Sequence, residues 1–181
     1  MSNNSEKSDK YTADDYFSFP EEMKVELING MIYDMSPSPL RIHQEISGGM
    51  FAEIYNYIKK NKGGCKVYSA PFDVKLSDDT VVIPDISVIC DANKLTDKGC
   101  TGAPDWIIEI VSGNASHDYI TKLVAYKTYG VKEYWIVDPK KQIVTVYILE
   151  NDCDMTVYKF SDTIPVNIYD GNFQINISKL I

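Results

Sequence analysis

The chain has 181 residues, 44% of them hydrophobic, and carries a net charge of -8 with a pI near 4.7. That size and apolar content suit one globular domain with a sizeable core, and no apolar run approaches the length of a bilayer-spanning helix. The acidic balance argues against a protein that lays a broad basic surface on nucleic acid, since holding several phosphates usually takes a basic footprint.

Met1 to Lys10 is polar and reads as a disordered tail with no signal peptide, ahead of a single domain over 11–181. Thr12 is placed to cap a short helix through Phe19, with Asp15 closing an imperfect capping box and Pro20 ending it. Lys24–Ile28 and Met31–Met35 form a predicted hairpin about Asn29-Gly30, the strongest short hairpin signal. Glu26 sits in its first strand, either as an exposed strand acid or as a member of a site. Ser36-Pro37-Ser38-Pro39 is an extended linker.

Leu40–Lys60 reads as a long helix, with Ile42, Ile46, Met50, Ile54 and Ile58 recurring about every four residues. Gly48-Gly49 weakens it by about 1 kcal/mol per glycine but leaves room for another backbone. His43, near its start, is a weak candidate to contact a phosphate, against a structural or solvated role. Gly63-Gly64 stops the helix. Strands are expected over Lys66–Ala70, Phe72–Leu76, Val81–Pro84, Ile86–Ile89, Trp106–Val111, Glu133–Val137, Gln142–Leu149 and Met155–Phe160, with Asp105 read as a turn residue ahead of its strand. Asp73, alternating with Val74, is a second weak site candidate. Residues 91–102 form a loop long enough for a substrate-contacting flap. The helix after the Glu109 strand begins near His117-Asp118, and Asp170-Gly171 closes a terminal hairpin whose apolar strands could pair with a second subunit.

Cys65, Cys90, Cys100 and Cys153 show no close paired spacing, so free thiols in a reducing cytoplasm are the simplest expectation. Two lysine-rich stretches, Lys59, Lys60, Lys62 and Lys66, and Lys122, Lys127, Lys132, Lys140 and Lys141, leave open either a basic face or ordinary surface patterning.

The informative stretch runs from Val81 to Lys122. Val81-Val82-Ile83-Pro84-Asp85 and Asp105-Trp106-Ile107-Ile108-Glu109-Ile110-Val111 each set one acid into an apolar strand, where a charge has no inexpensive place. On neighbouring strands the carboxylates of Asp85 and Glu109 would repel by about 4 kcal/mol at 4 Å and intermediate dielectric. A shared proton relieves that repulsion, and so does a hard divalent cation. Lys122 falls on the helix side of Ala125, Tyr126 and Tyr129, where it either joins the acids or lays its stem over the tyrosines. Two acids, a lysine and a cation make a phosphodiester-cleaving set.

The order Pro84-Asp85, Glu109 and a downstream lysine resembles the PD-(D/E)xK nuclease superfamily, and more specifically its Uma family of small bacterial restriction-endonuclease-like proteins. Matching segments run in order through Tyr11–Tyr16, Glu26–Gly30, Val82–Asp85, Gly102–Asp105, Glu109–Ser112 and Gly130–Pro139, covering most of the chain. The chain departs from the superfamily two residues after Glu109, where Val111 stands in place of lysine. The Uma family is similar to this chain in carrying its lysine on the following helix, matching Lys122. The resemblance implies an α+β, restriction-endonuclease-like fold with a mixed central sheet flanked by helices and antiparallel hairpins at both ends. It further implies Mg²⁺ or Mn²⁺ on Asp85 and Glu109, helped by the carbonyl of Ile110. Lys122 would be the electrophilic amine, Glu26 an assisting acid, DNA the substrate, and the expected assembly a homodimer. A catalytically silent dimeric scaffold and a phosphoesterase for small substrates are the competing readings.

Overall fold

The computed structural model describes residues 10–20, 22–35, 40–112, 116–150 and 154–181, with backbone alone for 116–118. The tail through residue 9, the Ser36–Pro39 linker, most of the turn after the Glu109 strand, Cys153 and the side chains of His117 and Asp118 lie outside that set.

Local signals act as expected at the N-terminus. Helix α1 (Ala13–Ser18) is capped by Thr12, whose side chain accepts from the Asp15 N–H while the Asp15 carboxylate accepts from the Thr12 N–H at 2.8 Å. Strands β1 (Val25–Ile28) and β2 (Met31–Asp34) turn through Asn29 and Gly30 at φ 53° and 80°. Both residues are left-handed, as a turn matching the strand twist demands. Helix α2 (Arg41–Lys60) buries Ile46, Met50, Ile54 and Ile58. Its Gly49 does admit another segment: a Cβ there would stand 2.9 Å from the Leu180 Cβ, so the C-terminus rests against the helix at that glycine.

The remaining strands are β3 (Lys66–Ser69), β4 (Asp73–Ser77), β5 (Thr80–Val82), β6 (Ile86–Ile89), β7 (Leu95–Thr96), β8 (Gly99–Thr101), β9 (Trp106–Ile110), β10 (Glu133–Asp138), β11 (Ile143–Ile148), β12 (Asp154–Lys159), β13 (Ile164–Pro165) and β14 (Gln174–Ile175). Helix α3 (Ser116–Tyr129) joins the parallel pair β9 and β10. The α+β architecture holds, with twelve of the strands in two six-stranded sheets, in the orders β2-β1-β5-β4-β8-β7 and β12-β11-β10-β9-β6-β3, and β13–β14 as a separate ribbon. Pro84, which has no N–H to offer a ladder, lies where the chain leaves the first sheet for the second.

The second sheet is covered on both faces, which is why its central strands read as unbroken apolar runs. Side chains of α2 meet Ile86, Val88, Trp106, Ile108, Ile110, Trp135 and Val137 on one face. On the other, Tyr126 of α3 packs with Ile107 and Tyr134, and with Ile28, Val74 and Val82 of the first sheet. Glu133 is fully buried, accepting from Trp135 Nε1 at 2.8 Å and from the Ile168 N–H at 2.9 Å, which ties the C-terminal segment to β10.

Three expectations change. Residues 91–102 form an ordered β7–β8 hairpin whose second strand adds in parallel to β4, so they are part of the first sheet instead of an open flap. The terminal ribbon β13–β14 turns Ile164, Phe173 and Ile175 into the chain's own core, leaving those side chains nothing to offer a second subunit. Cys65 and Cys90 form a disulfide, so the expectation of free thiols throughout fails, and the thiol argument for a reducing compartment fails with it. The cause is register: Lys66 pairs with Ile89, and the next position outward sets Cys65 against Cys90. Cys100 is free and buried. Among the described residues no helix is long and apolar enough to cross a membrane.

Candidate active site

Antiparallel pairing of Ile86 with Ile108 brings Asp85, one residue ahead of β6, beside Glu109 in β9. The Asp85 Oδ2 accepts from the Ile110 N–H at 2.7 Å and lies within hydrogen-bond distance, 3.1 Å, of His43 Nε2. Glu109 Oε1 accepts from Lys122 Nζ at 3.1 Å and from the Tyr126 hydroxyl at 2.9 Å. Lys122 Nζ also stands 2.8 Å from Glu26 Oε2, while Glu26 Oε1 accepts from the Ile83 N–H at 2.7 Å. Lys122 therefore joins the two sheets, with an acid from β1 on one side and an acid from β9 on the other. Its side chain is 6% exposed, and those of Glu26 and Glu109 are 6% and 8% exposed. Four residues separate Lys122 from Tyr126, so one face of α3 delivers both to Glu109.

Three carboxylates against one buried ammonium leave negative charge in excess. Burial pushes the Glu109 carboxyl up to about 7; Lys122 opposes the rise, and the charges of Asp85 and Glu26 add to it. The Tyr126 hydroxyl is raised well above its ordinary value by burial and by Glu109. Burial pulls the His43 imidazole down, but the hydrogen bond and charge of Asp85, with the charge of Glu109, outweigh it and leave its pKa raised.

The donor chemistry fits a divalent cation. Asp85 uses Oδ2 and Glu109 uses Oε1 in the contacts above, leaving Asp85 Oδ1 and Glu109 Oε2 without a hydrogen-bond partner among the described residues. Among those residues no group of three or more His, Cys, Asp or Glu side chains converges as a metal site. A hard cation such as Mg²⁺ commonly takes one or two carboxylates and completes its shell with water and phosphate, so two oxygens suffice.

The Uma2 family, described as putative restriction endonuclease, matches residues 13–178. The chain belongs to this family. It is also similar to a solved structure titled a putative nuclease belonging to DUF820 from Anabaena variabilis ATCC 29413. That match has a TM-score of 0.76 and 26% identity, covering 93% of this chain and 96% of that one. No match is found among curated proteins.

In this Uma2 chain Asp85, Glu109, Lys122 and Glu26 converge, and His43 joins them. The exposed-strand reading of Glu26 and the snorkelling reading of Lys122 both give way, since the two residues are 4% and 5% exposed and paired with each other. Asp73 stays apart: it accepts from the Tyr16 hydroxyl at 3.0 Å, and burial raises its carboxyl. Tyr126, which the sequence only places on the same helix side as Lys122, is a further contact to Glu109. Pro104-Asp105 serves the frame, with Asp105 accepting from the Cys90 N–H at 2.7 Å and pairing with Lys132 at 2.9 Å. In the second lysine-rich stretch Lys122 is buried, Lys132 pairs with Asp105 and Lys141 with Asp138, while Lys127 and Lys140 are exposed. The first stretch begins at the far end of α2, about 25 Å from His43 at 1.5 Å per residue.

Proposed function

We propose that the protein is a metal-dependent nuclease that hydrolyses phosphodiester bonds in DNA. The observation that carries this reading is the buried Lys122 ammonium held between Glu26 and Glu109, with Asp85 on the adjoining strand. Family membership and the similar structure support the same class.

Asp85 and Glu109 would hold Mg²⁺ or Mn²⁺, with the Ile110 carbonyl as a further oxygen. When bound, the cation supplies charge for the phosphate oxygens and lowers the pKa of water. The residues do the rest. A buried Glu109 carboxylate is poorly solvated, so its charge favours taking up a cation. The Ile110 N–H and His43 fix one oxygen of Asp85 and leave the other for the ion. Lys122, fixed by Glu26, meets the negative charge that develops on the phosphoryl oxygens as water attacks phosphorus. The 3′ oxygen leaves and takes a proton, giving a 5′-phosphate and a 3′-hydroxyl. A C2 homodimer would present two such sites to a duplex.

Titration with Mn²⁺ or Mg²⁺ tests the reading. At 100 times the dissociation constant, binding adds about 2.7 kcal/mol and raises the Tm of a chain this size by about 5–10 °C. Asp85→Ala abolishes the rise. An equal rise in the variant would place the ion elsewhere.

A further inference from the structure

Between the β7–β8 hairpin and the segment after β3 lies a cavity that the reading above does not use. It has a volume of about 400 Å³ and is lined by Tyr68, Phe72, Asp73, Leu95, Lys98 and Gly99, among others. The Tyr68 and Phe72 rings stack with centroids 4.2 Å apart and planes 4° from parallel, and both rings are half-buried at its wall. Gly99 fixes the opposite wall: a Cβ there would stand 2.2 Å from the Asp73 carbonyl oxygen, so only glycine lets the β7–β8 hairpin lie this close to β4.

Sheet register locates the rings relative to the acids. Tyr68 pairs with Ser87, and Ser87 with Ile107, so Tyr68 and Ile107 share the α3 face of the second sheet. Glu109, two residues beyond Ile107, also faces α3 through Lys122 and Tyr126. Two strand spacings and two residues place Tyr68 about 12 Å from Glu109. The link between them is short, since the Ala70 N–H donates to the Asp85 carbonyl at 3.0 Å. A nucleotide close to one whose phosphate sits at the acids reaches this cavity. The acids in its wall, Asp73 and Asp97, repel a phosphate but not an uncharged base, while the exposed Lys98 at the hairpin tip is suited to a phosphate at the rim.

We propose that the Tyr68–Phe72 pair is a base-stacking platform, and that the preferred substrate is single-stranded or frayed nucleic acid with one unstacked base in this cavity. The inference rests on the nuclease reading and deepens it by naming the form of the substrate. Stacking on aromatic side chains is sequence-tolerant, because every base has a π face.

The test uses the full chain in EDTA and a single-stranded oligonucleotide carrying 2-aminopurine, whose fluorescence falls on stacking. Wild type quenches the probe; Phe72→Leu loses the quenching and binds about tenfold or more weakly by anisotropy. Phe72→Trp restores both, and binding to a blunt duplex is unaffected by either change. Equal affinity and quenching in wild type and Phe72→Leu overturn the proposal. Should Phe72→Leu fail to fold, the exposed Lys98→Met decides instead. It should keep the quenching and reduce by about one the steepness with which log affinity falls against log salt; an unchanged salt slope overturns the proposal. Because the readout needs no turnover, a wild type that stacks the probe yet never cuts with metal refutes only the nuclease reading. A protein that cuts while Phe72→Leu binds like wild type refutes only the platform.

Discussion

Replacing Lys122 with methionine is the sharpest perturbation of the site that leaves its volume nearly unchanged. In the wild type, the ammonium lies 2.8 Å from Glu26 and 3.1 Å from Glu109, with all three side chains under a tenth exposed. Removing one partner of a buried ion pair typically costs about 3–5 kcal/mol, because the other charge is stranded without solvent. Here two carboxylates are stranded, so the upper part of that range is expected at pH 8. Glu109 can escape by taking a proton, and its pKa, about 7 with lysine present, rises further without it. The loss should therefore shrink on acidification to pH 5. Urea unfolding at the two pH values measures both quantities. Adding Glu109→Gln to Lys122→Met should recover more than 1 kcal/mol at pH 8. A Lys122→Met variant within 1 kcal/mol of wild type at pH 8, or one whose deficit does not change with pH, would show that the ammonium is not holding these acids together.

Glu109 itself predicts a pH slope in metal-free protein. Its folded pKa of about 7 lies above the ordinary 4.5, so the folded state keeps a proton that the unfolded state releases. Stability from this group thus falls as pH rises from about 4.5 to 7, by at most about 1.4 kcal/mol per unit. Subtracting the curve of Glu109→Gln isolates the effect; a difference that grows more stabilising over that window contradicts it. Cys65 and Cys90 close a loop of sequence separation 25, so the paired serine variant should lose about 3 kcal/mol in urea melts under oxidising conditions. Equal stability would mean that the bridge does not restrain the chain. Removing the His43 imidazole as His43→Ala should weaken Mn²⁺ binding by about 10- to 100-fold in calorimetric titration, since outer partners orient ligating carboxylates. An unchanged affinity would assign His43 to packing alone.

The central acids were legible because strand periodicity and apolar context isolate them: Asp85 and Glu109 interrupt runs that are otherwise apolar. Lys122 was legible from the face of α3 it shares with Ala125 and Tyr126. Glu26 could not be separated from a surface acid, because its burial depends on a lysine far along the chain, on helix α3. His43 had a usable signal, being in phase with Ile46, Met50, Ile54 and Ile58 on the buried stripe of α2. What that phase could not supply was the partner beyond the end of the stripe. The disulfide and the division into two sheets depend on long-range register, which local spacing does not encode. The Asn29-Gly30 hairpin and the Thr12 cap, set by residues within four positions of each other, were read directly.

The most direct measurement is cleavage of supercoiled plasmid and of a single-stranded oligonucleotide by wild type, Asp85→Asn and Glu109→Gln, with and without Mg²⁺ or Mn²⁺. Metal-dependent cutting by wild type, with 5′-phosphate ends and its loss in both variants, is the predicted result. Cutting that persists in both variants, or in EDTA, would contradict the account.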